Sequence, residues 1–403
     1  MLRHSKPGLR AKGDSFALTV ASVVNGLAAY AIIVITSRFF GDRDFASFSV
    51  AWSVWAVSVA LLVFPLQHWI IWRATSDGGV TAVRAAMPRI LAISGVVIAG
   101  LYLSGASARL FPTGDAWPWI LAAIGATSAA LGLGRGLLAA HGLYERVAWV
   151  IGLENLIRLG VIAVVLNQGL GPQAAVLGVA AGVLAMAPFA RSLELGRAVS
   201  EGPVKVVVEL AALAGATAVA QVLVQFPPAM AEWLGDPPER VAALFATFSL
   251  GRAPLLIMLA LTTRLTEPLT RLLAPTETAK DWVSRAIVAI PAAGLTAGAV
   301  GYMIGPAVVA WLFGPGRALS RFETAAISTG LVLAMAGLVA ILALMALRAN
   351  GRAAGYWIAA FGLAVAMSFL GSGIPLAFLS GEILALGLSS VTLWRRLRQP
   401  LPA

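Results

Sequence analysis

RVAALFATFSLGRAPLLIMLALTTR, residues 240–264, is the stretch whose reading decides the fold. Between its terminal arginines it is apolar except for a few hydroxyls and one fixed positive charge, Arg252, about twelve residues from either end. A hydrocarbon core of about 30 Å takes about 20 apolar residues at the helical rise, so this run is long enough to span a bilayer. Arg252 then falls near the midplane, where a guanidinium costs at least about 2.5–3.5 kcal/mol on insertion scales. Pro254, two residues on, has no N–H for the carbonyl of Leu250 and favours a kink. An arginine buried beside a break needs an anion, a counter-charge, water or freed carbonyls. The last choice makes it a packing residue, and the first makes it a binding residue.

Composition extends this reading to the whole chain. Of 403 residues, 59% are hydrophobic and 12% charged, against about 25% charged in soluble domains. The chain reads as an all-α, polytopic membrane protein. Absence of cysteine excludes disulfides, thiolate metal sites and a cysteine nucleophile. His4, His68 and His141 are too scattered for a histidine metal site. The basic start Met1–Lys12 leads into a span too long for a signal peptide, with no clear cleavage site.

Twelve apolar spans are expected, at about 16–37, 46–71, 86–107, 117–140, 146–167, 172–190, 207–233, 240–262, 283–304, 322–347, 353–372 and 375–394. The segment GPAVVAWLFGPG (305–316), interrupted by Gly and Pro, is read as an interfacial turn. With the N-terminus cytoplasmic, 21 of the 29 basic residues, Arg135 near the end of span 4 among them, are assigned to cytoplasmic segments and 6 to outer ones, while Arg158 and Arg252 are assigned to span interiors. That bias supports an inner-membrane protein of bacterial type with both termini cytoplasmic. It also accounts for the net charge of +11 as topology, with no case for nucleic acid.

Gly41-Asp42 after span 1 matches Gly235-Asp236 after span 7, at an offset of 194. Leu110-Phe111 matches Leu312-Phe313 at 202, and Ala140-His141-Gly142 matches Ala349-Asn350-Gly351 at 209, with Trp149 and Trp357 downstream. Three ordered matches predict two six-helix bundles, residues 1–200 and 201–403, related by a parallel repeat. Such repeats suit transporters that rock two bundles about a central site.

ITSRFFGDRDFASFSVAWSV (35–54), ATFSLGRAP (246–254) and AWLFGPG (310–316) together resemble polysaccharide flippases of the MOP superfamily. The motifs follow in order over the whole chain, although each is short. The resemblance implies a flippase that carries a polyprenyl-pyrophosphate-linked oligosaccharide from the inner to the outer leaflet by alternating access. Membrane lipids and a polysaccharide polymerase or glycosyltransferases are the expected partners, and no cofactor is expected. A cation-coupled drug exporter of the same superfamily is the alternative transporter, and a non-transport scaffold is the bland one.

The residues suit an anionic headgroup, because arginine's planar fork pairs phosphate oxygens. Arg252, Arg38 and Arg158, with Gln221 and Gln225 of span 7, are the candidate binding residues. Arg38 also reads as an interfacial anchor. Arg158 has Glu154 four residues before it on the same helical face, which favours a self-neutralising pair. Pro227, Pro228 and Pro254 are candidate hinges, and Glu154 and Glu382 are candidate coupling acids. Gln67 and His68 are placed near the inner mouth, and Trp52, Trp55 and Trp69 are weak candidates for stacking on sugar. No P-loop, catalytic triad or carboxylate pair occurs, so the drive must come from membrane potential or an ion gradient. The glycines of LGLGRGL (131–137) are read as a close-packing face.

Overall fold

A chain that buries its backbone in lipid must satisfy every amide within the segment, so apolar runs of this length become helices. The computed structural model describes residues 7–75, 99–100, 103, 105–111, 116–192, 219–252, 254–255, 277–347 and 349–398. Helices dominate, and no strand occurs among the described residues. They are α1 (Pro7–Phe39), α2 (Asp42–Ser58), α3 (Phe64–Thr75), α4 (Ala106–Leu110), α5 (Trp117–Ala140), α6 (Tyr144–Asn167) and α7 (Pro172–Ala180). Then follow α8 (219–225), α9 (Pro227–Leu234), α10 (238–252), α11 (Glu277–Phe313), α12 (Arg321–Ala346), α13 (Asn350–Phe369) and α14 (Ile374–Arg398).

Nine stretches among the described residues are long and apolar enough to cross a membrane, and they coincide with nine of the twelve expected spans. The chain is a multi-pass membrane protein. Most of expected span 3, the start of span 7, the end of span 8 and the 193–206 connection lie outside the described residues.

The chain divides into two units. The first comprises Met1–Phe39 and Val54–Ala214, and the second Phe40–Ser53 and Gly215–Ala403. Helix α2 thus begins in the second unit and ends in the first.

In the first unit α1 packs along α6, and α3 and α5 lie against each other. Val63, Leu131, Leu138, Val150 and Met186 are among the buried residues of its core. The glycines of α5 act as the sequence suggests. A Cβ on Gly132 would sit 2.8 Å from the Cα of Val63, and one on Gly136 would press on Ile70 and Gln67. Gly132 faces a π-helical turn, Val59–Val63, that joins α2 to α3. Pro65 lies just beyond it and offers no N–H to the carbonyl of Leu61, and that loss suits a local widening of the helix. A 3-10 segment, Ala181–Ser192, continues α7.

In the second unit, aromatic rings fill the core. Phe45 meets Phe245 edge-on at 5.7 Å, and Phe248 meets Phe378 at 4.9 Å. One expectation is corrected here. Residues 305–313 are not a turn but the last part of α11, which runs unbroken past Pro291 and Pro306. The reason is the face formed by Gly294, Gly298, Gly301 and Gly305, spaced four, three and four residues apart. Each abuts α12: a Cβ at Gly298 would collide with Thr329, at Gly301 with Ser328, and at Gly305 with Thr324. Thr329 also donates to the carbonyl of Gly294 at 3.1 Å. In this helix the glycines give close contact, not a break. The turn begins only at Gly314 and Gly316, whose φ values of 109° and 88° are open to glycine.

Beyond that turn, Arg317 pairs with Asp42, donates to the carbonyl of Phe40 at 3.0 Å and lies 4.9 Å from the ring of Phe45. Ser320 and Glu323 form a capping box that starts α12. Glu323 also accepts from Arg240 at 2.7 Å. The third repeat match is uneven in structure. Trp357 is buried whereas Trp149 is 57% exposed, and Gly142 has φ 71° whereas Gly351 lies in the first turn of α13.

Candidate functional site

In the first unit the deep charges gather into one group, and in the second Arg252 and Glu382 are buried with no ion pair between them among the described residues. In the first, α6 carries Glu154 and Arg158 one turn apart, and the pair forms with 2.5 Å between Arg158 Nη1 and Glu154 Oε1. Arg158 also donates to Asn155 Oδ1 and to the carbonyl of Val179, each at 2.7 Å. That carbonyl sits where α7 gives way to the 3-10 segment. Gly182 makes the approach possible, since a Cβ there would be 2.5 Å from Arg158 Nε. The guanidinium lies 4.6 Å from the ring centroid of Trp55, so this tryptophan's face carries an arginine. Asn155 reaches α1 by donating to the carbonyl of Asn25 at 3.1 Å.

The other carboxylate oxygen of Glu154 meets Arg135 of α5. The charge count placed Arg135 in a cytoplasmic segment although it falls in the expected span 117–140, and the structure corrects the count: it lies inside α5, 6% exposed. Nothing in its local sequence announces the pairing, because it depends on how α5 and α6 register. Two buried arginines therefore share one carboxylate.

In the second unit, Arg252 stands near the end of α10 and is buried. Its Nη2 donates to the carbonyl of Val224 at 2.6 Å. The choice of carbonyl follows from sequence. Pro227 and Pro228 have no N–H for the carbonyls of Leu223 and Val224, the helix breaks at Phe226, and both prolines open α9 as its first residues. Arg252 supplies the hydrogen bond that Pro228 withholds. Its guanidinium carbon also lies 5.2 Å from the Phe248 ring centroid and 5.9 Å from that of Phe245. Gln221 and Gln225, on the segment Arg252 grips, are both buried. Pro254 is helical, while residue 253, between it and the end of α10, lies outside the described residues.

Glu382 is fully buried in α14, and neither of its oxygens has a hydrogen-bond partner among the described residues. Gly337 of α12 and Trp357 of α13 pack beside it. Arg38 is exposed in the last turn of α1. Trp52 packs on Phe48 at 5.7 Å and Trp69 is fully buried, so both serve the core. Gln67 is half-buried in α3, and the side chain of His68 lies outside the described residues. No cluster of potential metal ligands occurs among the described residues.

Solved structures match this architecture along almost its whole length. A mutant of the Vibrio cholerae MATE transporter VcmN is 14% identical, with 96% of each chain covered and a TM-score of 0.58. The eukaryotic MATE transporter AtDTX14 is 15% identical, with 97% of this chain and 98% of that one covered and a TM-score of 0.60. The fold is that of the MATE transporters. An outward-facing multidrug resistance MATE family transporter of the MOP superfamily is 12% identical, with 96% and 94% covered and a TM-score of 0.60. No family model matches the chain, and no curated protein matches it.

Proposed function

We propose that the chain is an exporter of the MOP type that works by alternating access and couples efflux of a small amphipathic molecule to inward movement of a cation. The observation that carries this reading is the full-length MATE-type fold, reached at 12–15% identity by structures from very different sources. Glu382 supports the coupling step. Of the two candidate acids, Glu154 is already held between Arg135 and Arg158, whereas Glu382 has no basic partner among the described residues. A buried carboxyl in a transport helix is by default a functional one. It can hold a proton or a cation in one state of the cycle and yield it in the other.

A second reading is favoured by one observation. Arg135 and Arg158 together carry one more charge than Glu154 neutralises, and a phosphate would balance it. On that reading the cargo is a polyprenyl-pyrophosphate-linked oligosaccharide, and a polymerase or glycosyltransferases are its partners. Membrane potential would then assist, at about 2.3 kcal/mol per 100 mV for each negative charge moved outward.

The two readings separate in proteoliposomes. Purified chain should move ethidium against its gradient when a proton or sodium gradient is imposed, and leave a lipid-linked oligosaccharide in its leaflet. Movement of the oligosaccharide without ethidium transport would reverse the order of the two readings. Movement of neither under any gradient would favour a scaffold.

A further inference from the structure

Away from these buried charges, the second unit carries a groove of about 770 Å³ between α11, α12 and α14. Its walls are apolar, with Ile287, Leu295, Leu333, Ile383 and Val391 among them. Ile287, Leu295, Ile383 and Val391 are exposed, as residues that face lipid would be. Gly387 helps to keep the groove open, since a Cβ there would meet no atom within 4 Å.

One end differs. There Ser390, Trp394 and Arg395 of α14 face Ser284 of α11. Arg285 and Arg396 are exposed beside them, and Lys280 is one turn away on α11. Asp281 is exposed at the same end, so the local balance stays positive. Trp282 and Trp394 mark this end as the level of the lipid headgroups. The hydroxyl of Ser284 donates to the carbonyl of Lys280 at 2.9 Å, which leaves the arginines and Ser390 to meet an anion.

We infer that this groove holds one anionic phospholipid, with its phosphate among Arg395, Arg396 and Arg285 and an acyl chain along the apolar walls. Length argues for a phospholipid. From Arg395 back to Ile383 the groove follows about 18 Å of α14 at the helical rise, and one leaflet contributes about 15 Å of hydrocarbon. A phospholipid chain ends where the groove does, whereas a long polyprenyl chain would overrun it. Charge argues for an anionic headgroup, because clustered arginines at the membrane surface attract anionic lipid.

Native mass spectrometry of the full chain in detergent, titrated with phosphatidylglycerol and phosphatidylcholine, tests this. The wild type should keep one phosphatidylglycerol in preference to phosphatidylcholine. Arg395→Ala should weaken that binding about fivefold, and adding Arg396→Ala should do so again. Gly387→Phe, whose Cβ meets no atom within 4 Å and whose ring would compete for the groove, should lower it at least tenfold. The exposed arginine variants keep the test valid if Gly387→Phe fails to fold. Equal binding of the two lipids, undiminished binding in the arginine variants or in folded Gly387→Phe, or displacement by polyprenyl phosphate would each overturn the inference.

Discussion

If Arg252 supplies the hydrogen bond that Pro228 withholds, the two positions are energetically coupled, and the coupling can be worked out from the geometry. Arg252→Ala leaves the carbonyl of Val224 without its 2.6 Å donor, at about 1–3 kcal/mol. It also strips the cation from the faces of Phe245 and Phe248, at about 0.5–2 kcal/mol. Against these stands the recovered cost of dehydrating a guanidinium, about 2.5–3.5 kcal/mol. The opposing terms nearly cancel, so the single variant should change stability little. Pro228→Ala, however, returns an N–H to position 228 and removes the first term. In that background Arg252→Ala should be better tolerated by about 1–3 kcal/mol. Reversible unfolding in mixed micelles, read as a double-mutant cycle, measures the difference. A coupling below about 0.5 kcal/mol would refute the reasoning and release Arg252 from its packing role.

Other predictions follow from the two units. Glu154→Gln leaves two buried arginines without their shared counter-charge and should cost about 3–5 kcal/mol in the same assay; adding Arg135→Gln should restore much of it, and no recovery would deny the triad. Gly301→Leu should destabilise by about 1–3 kcal/mol through overpacking against Ser328 and Thr324, and wild-type stability would mean that α11 and α12 do not touch there. Cysteines at His141 and Leu170, beyond opposite ends of α6, should label from opposite sides of the membrane. Labelling from one side would overturn the proposed topology.

Much of the fold was legible because lipid allows so few solutions. Apolar runs of spanning length had to be helices, and the pair Pro227-Pro228 had to break one. Residues 131–137 show the same logic, since glycines at that spacing meet neighbours closely. The same signal was misread at Gly305-Pro306, where glycine and proline suggested a turn. What decides there is the four-residue match between α11 and the hydroxyls of α12, which a local reading does not contain. The charge groups divide along the same line. Glu154 and Arg158 lie on one helix face, so their pairing could be read directly. Arg135 joins them only through the register of α5 against α6, and a count of loop charges put it outside even though the expected span 117–140 contains it. For Arg252 the sequence supplied the need for a partner, and the structure supplied Val224.

The central claim is coupled export through Glu382, and one measurement bears on it most directly. Wild type and Glu382→Gln are reconstituted, and each is assayed for gradient-driven ethidium accumulation and for ethidium–ethidium exchange without a gradient. The account predicts that Glu382→Gln loses gradient-driven accumulation but keeps exchange, because the route survives and only the coupling group is gone. Accumulation at the wild-type rate in Glu382→Gln would contradict it.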